Sequence, residues 1–135
     1  MNSQLLNDRE TVKKLSEAGL KTFFKIAELW DLSISEQLSL LGLRETQKST
    51  LYHWKQNGSD SLGKDTLERI SYILGIYKSL QILLPETEAA DKWIKKPNSA
   101  PLFMGKSALE FLSNGNLSDL FLVRNYLDAQ RGGWS

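Results

Sequence analysis

One stripe of apolar residues, Leu67, Ile70, Ile73, Leu74, Tyr77 and Leu80, recurs at three- and four-residue intervals between Lys64 and Leu83. That spacing lines one face of an α-helix. A strand cannot use it, because strand side chains alternate with a period of two. The rest of the chain is written the same way: no alternating run of β-branched residues appears, and the breaks are Gly, Asn and Pro. The expectation is an all-α protein.

Local signals divide the chain. Asn7 or Asp8 caps a first helix to Ala18, and Gly19 ends it. Leu20 to Asp31, with Phe23, Phe24, Ile26, Ala27, Leu29 and Trp30, is too apolar for a surface helix and reads as the buried centre of the N-terminal half. Ser33 and Glu36 form an S-x-x-E capping box for Ile34 to Leu41, which Gly42 stops. A further helix starts at Thr46 or Ser49, runs through Leu51, Trp54 and Lys55, and breaks at Asn57-Gly58-Ser59-Asp60. Pro85 ends the long helix and opens another, with Glu86 and Glu88 at its positive end and Lys95 and Lys96 in its last turn. Pro97 to Pro101 reads as a linker. A helix from about Lys106 to Ser113 stops at Asn114-Gly115, and Asn116 caps the last one, Leu117 to Gln130. The natural division falls near Leu84-Pro85, giving 1–84 and 85–135, although the long helix before it can bridge both halves.

Composition excludes several functions. With 135 residues the chain suits one compact domain or two small helical ones sharing a core. There is no cysteine, and His53 is the lone histidine, so disulfides and Cys or His metal clusters are out. No apolar run approaches the roughly 20 residues that span a bilayer. The start lacks a basic end followed by an apolar stretch, so no signal peptide is expected and a cytoplasmic location is. No glycine-rich phosphate loop, paired histidine motif or G-x-S-x-G elbow is present. Capping and helix-dipole effects account for Glu86, Glu88 and Asp91. No enzyme, cofactor, metal or membrane contact is expected. The net charge of +1 means that DNA binding must come from a local patch, strengthened by dimerisation.

Such a patch is legible. Ile34 to Leu43 followed by Ser49 to Lys55 reads as helix-turn-helix, with Gly42 in the turn and Leu41, Leu43 and Leu51 packing the two helices. Gln47, Lys48, Ser49, Thr50, Tyr52, His53 and Lys55 would present an amide, hydroxyls, cations and an imidazole to a groove. Trp54 belongs to the core by its spacing from Leu51. The stretch Arg44 to Lys48 exceeds a tight turn by about two residues, so either the second helix starts earlier or the turn is looped. A helical hairpin with no DNA role fits the same pattern. At the other end, Arg131-Gly132-Gly133-Trp134-Ser135 sets a large aromatic on a glycine hinge. Trp134 either anchors a partner or folds back on its own core.

The two halves together resemble the Xre/MbcA/ParS antitoxins of type II toxin–antitoxin modules. Leu29-Trp30-Asp31-Leu32-Ser33, Leu40-Leu41-Gly42 and Ser49 to Trp54 look like the family's Xre-type DNA-binding half. Trp93, Pro97-Asn98, Phe103, Gly105-Lys106-Ser107, Leu109, Leu112, Gly115, Val123 to Ala129 and Arg131 to Trp134 look like its toxin-binding domain. Ala108 stands where the family often has proline, and alanine suits a first helical turn equally well. The resemblance implies a homodimer that pairs with a toxin encoded beside it. That toxin is usually of the NAD-depleting RES type, and acetyltransferase-like in some relatives. It also implies repression of the chain's own operon through operator DNA. The toxin's active-site entrance would be covered by Arg124, Tyr126, Asp128, Arg131, Gly132, Gly133, Trp134 and Ser135. Arg124 either joins that surface or merely pairs with Asp128 one turn on. A stand-alone helix-turn-helix regulator with a sensing C-terminal half is the alternative. It expects an enclosed apolar pocket in that half.

Overall fold

The computed structural model describes residues 8–132, and all of its named elements are helices. Helix α1 spans Arg9–Leu29, and the Asp8 carboxylate starts it by accepting from the Glu10 and Thr11 N–H groups at 2.8 and 3.4 Å. Gly19 does not end a helix. The two helices expected on either side of it are one, and a Cβ at Gly19 would stand 3.2 Å from Ile70 Cγ2. The glycine lets α1 lie close against a neighbouring helix, a tertiary reason that a local stop signal cannot reveal.

Helix α2, Ile34–Leu41, carries the expected capping box: Glu36 N–H donates to Ser33 Oγ at 3.1 Å and Ser33 N–H to Glu36 Oε1 at 2.8 Å. Gly42 ends it at φ 77°, its N–H donating to Ser39 O while Leu43 N–H donates to Leu38 O. The long turn becomes a 3-10 turn, Glu45–Gln47, running straight into α3, Lys48–Asn57. Neither Thr46 nor Ser49 caps α3. Gln47 Oε1 instead accepts from the Arg44 N–H at 2.9 Å and braces the 3-10 turn.

Helix α4 runs over Lys64–Leu83, as the stripe predicts. It is the central element and packs against α1, α2, α5 (Thr87–Trp93) and α7 (Leu117–Gly132). Lys92, not Lys95 or Lys96, occupies the last turn of α5. Lys95 reaches across to the Asp31 carbonyl at 2.5 Å. The expected linker is a closed loop: Asn98 N–H donates to Lys106 O and Gly105 N–H to Asn98 O, both at 3.0 Å. Ser107 and Glu110 then box the start of α6, Ala108–Leu112. Asn116 meets α7 through its amide nitrogen, which donates to Asp119 Oδ2.

The buried apolar side chains of both halves form one contiguous cluster. Phe103 is the hub on the C-terminal side, edge-on to Trp93, Phe111 and Tyr126 at centroid distances of 5.9, 5.9 and 5.4 Å.

Candidate functional site

Two surfaces carry the sequence-predicted residues. On the first, Leu38, Leu41 and Leu51 are buried between α2, α3 and the core, and half-buried Trp54 packs on the same cluster. This fixes the outward face of α3. Lys48, Ser49, His53 and Lys55 are exposed, Tyr52 is 50% exposed, and Thr50 is half-buried. Lys48 Nζ lies 3.9 Å from Glu45 Oε2, with both side chains open to solvent, so the pair holds the ammonium only weakly. His53 Nδ1 faces Asn57 Nδ2 at 3.2 Å. Gln47 differs from the others: its amide oxygen is taken by the backbone of the preceding turn. The exposed side of α3 therefore offers a hydroxyl, a phenol, an imidazole and two ammonium groups, types that bond phosphates and base edges.

The second surface lies where α7 crosses the end of α4. Arg124, Asp128, Arg131 and Gly132, with Ile82 and Leu83, line an open concavity of about 810 Å³. Its charges are placed by groups that sequence reasoning did not single out. Ser79, fully buried on α4, donates from Oγ to Asp128 Oδ1 at 3.2 Å and accepts from Arg131 Nη1 at 3.3 Å. Arg124 Nη1 donates to Ser71 O at 3.4 Å, and its Nε stands 3.7 Å from Asp128 Oδ2. The i, i+4 pair thus coexists with exposure to the concavity. Ser79 lies off the Leu67 to Leu80 stripe, on the face of α4 that meets α7, so the periodicity carried no signal for it.

Tyr126 is not part of this concavity. It is half-buried beside Phe103 and lines a smaller groove of about 240 Å³ with Leu80, Leu83, Leu84, Trp93, Leu127 and Gln130. Gly132 is the last residue of α7, not a hinge, so the helix outruns the expected end at Gln130. Gly133, Trp134 and Ser135 lie outside the described residues. Among the described residues no group of three or more His, Cys, Asp or Glu side chains could hold a metal ion, and no helix is long and apolar enough to cross a membrane.

A solvent-facing second helix in a helix-turn-helix, joined through a shared helix to a small bundle with a charged concavity, is the architecture of a helix-turn-helix regulator with an appended C-terminal domain. Residues 15–75 match the family described as the antitoxin Xre-like helix-turn-helix domain, and residues 79–133 the antitoxin Xre/MbcA/ParS C-terminal toxin-binding domain. The chain belongs to the Xre/MbcA/ParS antitoxin family. It is similar to an uncharacterized protein, y4oB, of Sinorhizobium fredii (strain NBRC 101917 / NGR234), with 47% identity over 116 residues that cover 86% of each chain. No solved structure gives a significant match. The family is a class of DNA-binding antitoxins, not of catalysts.

Proposed function

We propose that this antitoxin neutralises a RES-type, NAD-depleting toxin by covering its active-site entrance with the C-terminal end of α7 and the residues after it. Residues 85–135 form the toxin-binding half. Residues 1–84 dimerise and repress the chain's own operon through α3. The observation that carries this reading is the Arg124–Asp128–Arg131 concavity within the segment matched to a toxin-binding domain. A dinucleotide pocket is polar and rich in hydrogen-bonding groups, so a plug of alternating charge can satisfy those groups and exclude substrate without chemistry. Gly132 adds no side chain there, and Gly133 and Trp134 supply close approach and an aromatic anchor. For the other surface, the set of exposed donors on α3 supports groove contact. A ligand-sensing regulator is less well supported: the concavity on α7 is open and charged, and the apolar groove of about 430 Å³ lies between α1 and α4 instead.

The test is co-expression with the product of the neighbouring reading frame. That product alone should arrest growth and drain cellular NAD. The full chain should restore both, and a chain lacking residues 131–135 should restore neither while keeping its helical content. Equal protection by the shortened chain, or a neighbour that never co-purifies, rejects the reading.

A further inference from the structure

Between Asp91 and Glu110 the chain holds four lysines, Lys92, Lys95, Lys96 and Lys106, and no acidic residue. In a chain of net charge +1 that is a concentrated positive stretch. The fold draws it together. Lys92 stands in the last turn of α5, and Lys95 and Lys96 follow directly. An antiparallel bridge between Pro97 and Ser107 then brings Lys106 back alongside Lys96-Pro97-Asn98, with Asn98 N–H donating to Lys106 O at 3.0 Å. All four lysines are exposed. Lys92 Nζ is held by Glu88 Oε1 at 2.8 Å. Lys96 and Lys106 make no ion pair among the described residues.

Lys95 fixes where this patch lies. Its Nζ donates to the Asp31 carbonyl at 2.5 Å and stands 3.8 Å from Asp31 Oδ2. Asp31 comes two residues before Ser33, the cap of α2. In a helix-turn-helix the second helix enters the groove while the first crosses the sugar-phosphate backbone. The lysines therefore adjoin the start of the helix that meets phosphates. The Asp31 carboxylate, fully exposed, would repel a phosphate there, and the Lys95 ammonium offsets it. Helix α3 itself carries two cations, Lys48 and Lys55. Duplex affinity follows the number of phosphates neutralised, so further cations beside α2 add to the grip. We infer that Lys96 and Lys106, with Lys95 offsetting Asp31, form a second phosphate-binding patch, by which the C-terminal half holds the DNA backbone that flanks the site read by α3. This rests on the proposed operator binding through α3. An acidic protein surface would also attract these lysines, but their place beside the first helix of the reading pair favours nucleic acid. An ammonium suits the task, because a backbone contact asks for charge and carries no sequence information.

The experiment uses the full chain, a duplex from its own promoter and a scrambled duplex of equal length. Affinity for each is measured by anisotropy across a series of salt concentrations. In the double variant Lys96→Ala, Lys106→Ala the slope of log affinity against log salt should shrink by about 2, roughly one per phosphate released. Both duplexes should lose affinity by the same factor. The double variant Lys96→Arg, Lys106→Arg keeps the charge and should keep the slope. Lys95→Ala should weaken binding to both duplexes. Adding Asp31→Asn should restore it, since asparagine tolerates the left-handed backbone at φ 52° and removes the charge. An unchanged slope in the alanine pair overturns the inference, as does a loss confined to one duplex or a failure of Asp31→Asn to rescue. An unchanged slope with weaker binding of the toxin also overturns it and makes the patch a protein contact. If Lys48→Ala with Lys55→Ala flattens the slope and the Lys96, Lys106 pair does not, the patch fails alone. If the wild type binds neither duplex, operator binding through α3 fails and takes the patch with it.

Discussion

The guanidinium of Arg124 lies directly over Gly75, where a Cβ would stand 2.6 Å from both Cζ and Nε. The glycine leaves room for Arg124 to reach the Ser71 carbonyl across α4 and to stand beside Asp128. Gly75→Ala therefore separates stability from function. Alanine in a helix interior is favoured over glycine by about 0.8–1.0 kcal/mol, and the displaced arginine end can swing into solvent. Melting temperature should hold or rise. Toxin affinity should fall about tenfold, as it should for Arg124→Ala. Calorimetric titration beside a thermal melt decides it, and a lower melting temperature with unchanged affinity contradicts the account.

Gly42→Ala meets an equally close arginine with the opposite result. Gly42 is left-handed at φ 77°, and Arg69 has carbonyls on its far side instead of water. Neither the backbone nor the side chain can yield cheaply. A loss of about 2 kcal/mol or more is expected, from the left-handed strain plus the displaced buried cation. The urea denaturation midpoint should fall for Gly42→Ala and hold or rise for Gly75→Ala.

Lys48 and Lys55 face solvent on α3, and Lys48 has the exposed Glu45 carboxylate 3.9 Å away. If both contact phosphates, replacing both with alanine should weaken operator binding and reduce the slope of log affinity against log salt by about 2, roughly one per lysine. Anisotropy titrations at four salt concentrations measure that slope. An unchanged slope places the DNA elsewhere.

Tyr77 holds its phenolic proton above the usual value of 10.0, first because it is partly buried and then because Asp91 is near. The native state then binds a proton that the unfolded chain releases, so this contribution is full below pH 10 and is lost as pH climbs through 10 towards the native value. Tyr77→Phe has no such proton to lose. Between pH 9 and 11, melting temperature should drop less in the variant than in the wild type, and parallel curves would refute the assignment.

Much of the fold could be read from residue order. The Ser33–Glu36 box follows from a rule that acts over one helical turn, and the bounds of α4 follow from its apolar stripe. Gly19 misled because the same residue that ends helices also lets two of them approach, and only the position of Ile70 tells which. Ser79 and Arg69 stayed hidden for a related reason. Periodicity marks the apolar stripe but is silent on which polar groups are buried beside it, since the partners Asp128 and Gly115 lie 49 and 46 residues away. The concavity formed by Arg124, Asp128 and Arg131 was half legible: its residues carried a family pattern, but their separation from Tyr126 depends on how α7 is rotated against Phe103.

Because α4 is a wall of both bundles, neither can be dismantled by itself. A protease that nicks the chain along α4 strips the apolar flank from the helix-turn-helix half and the C-terminal half together. On the proposed function, the lifetime of this one helix sets both how long transcription stays silent and how long the poison stays held.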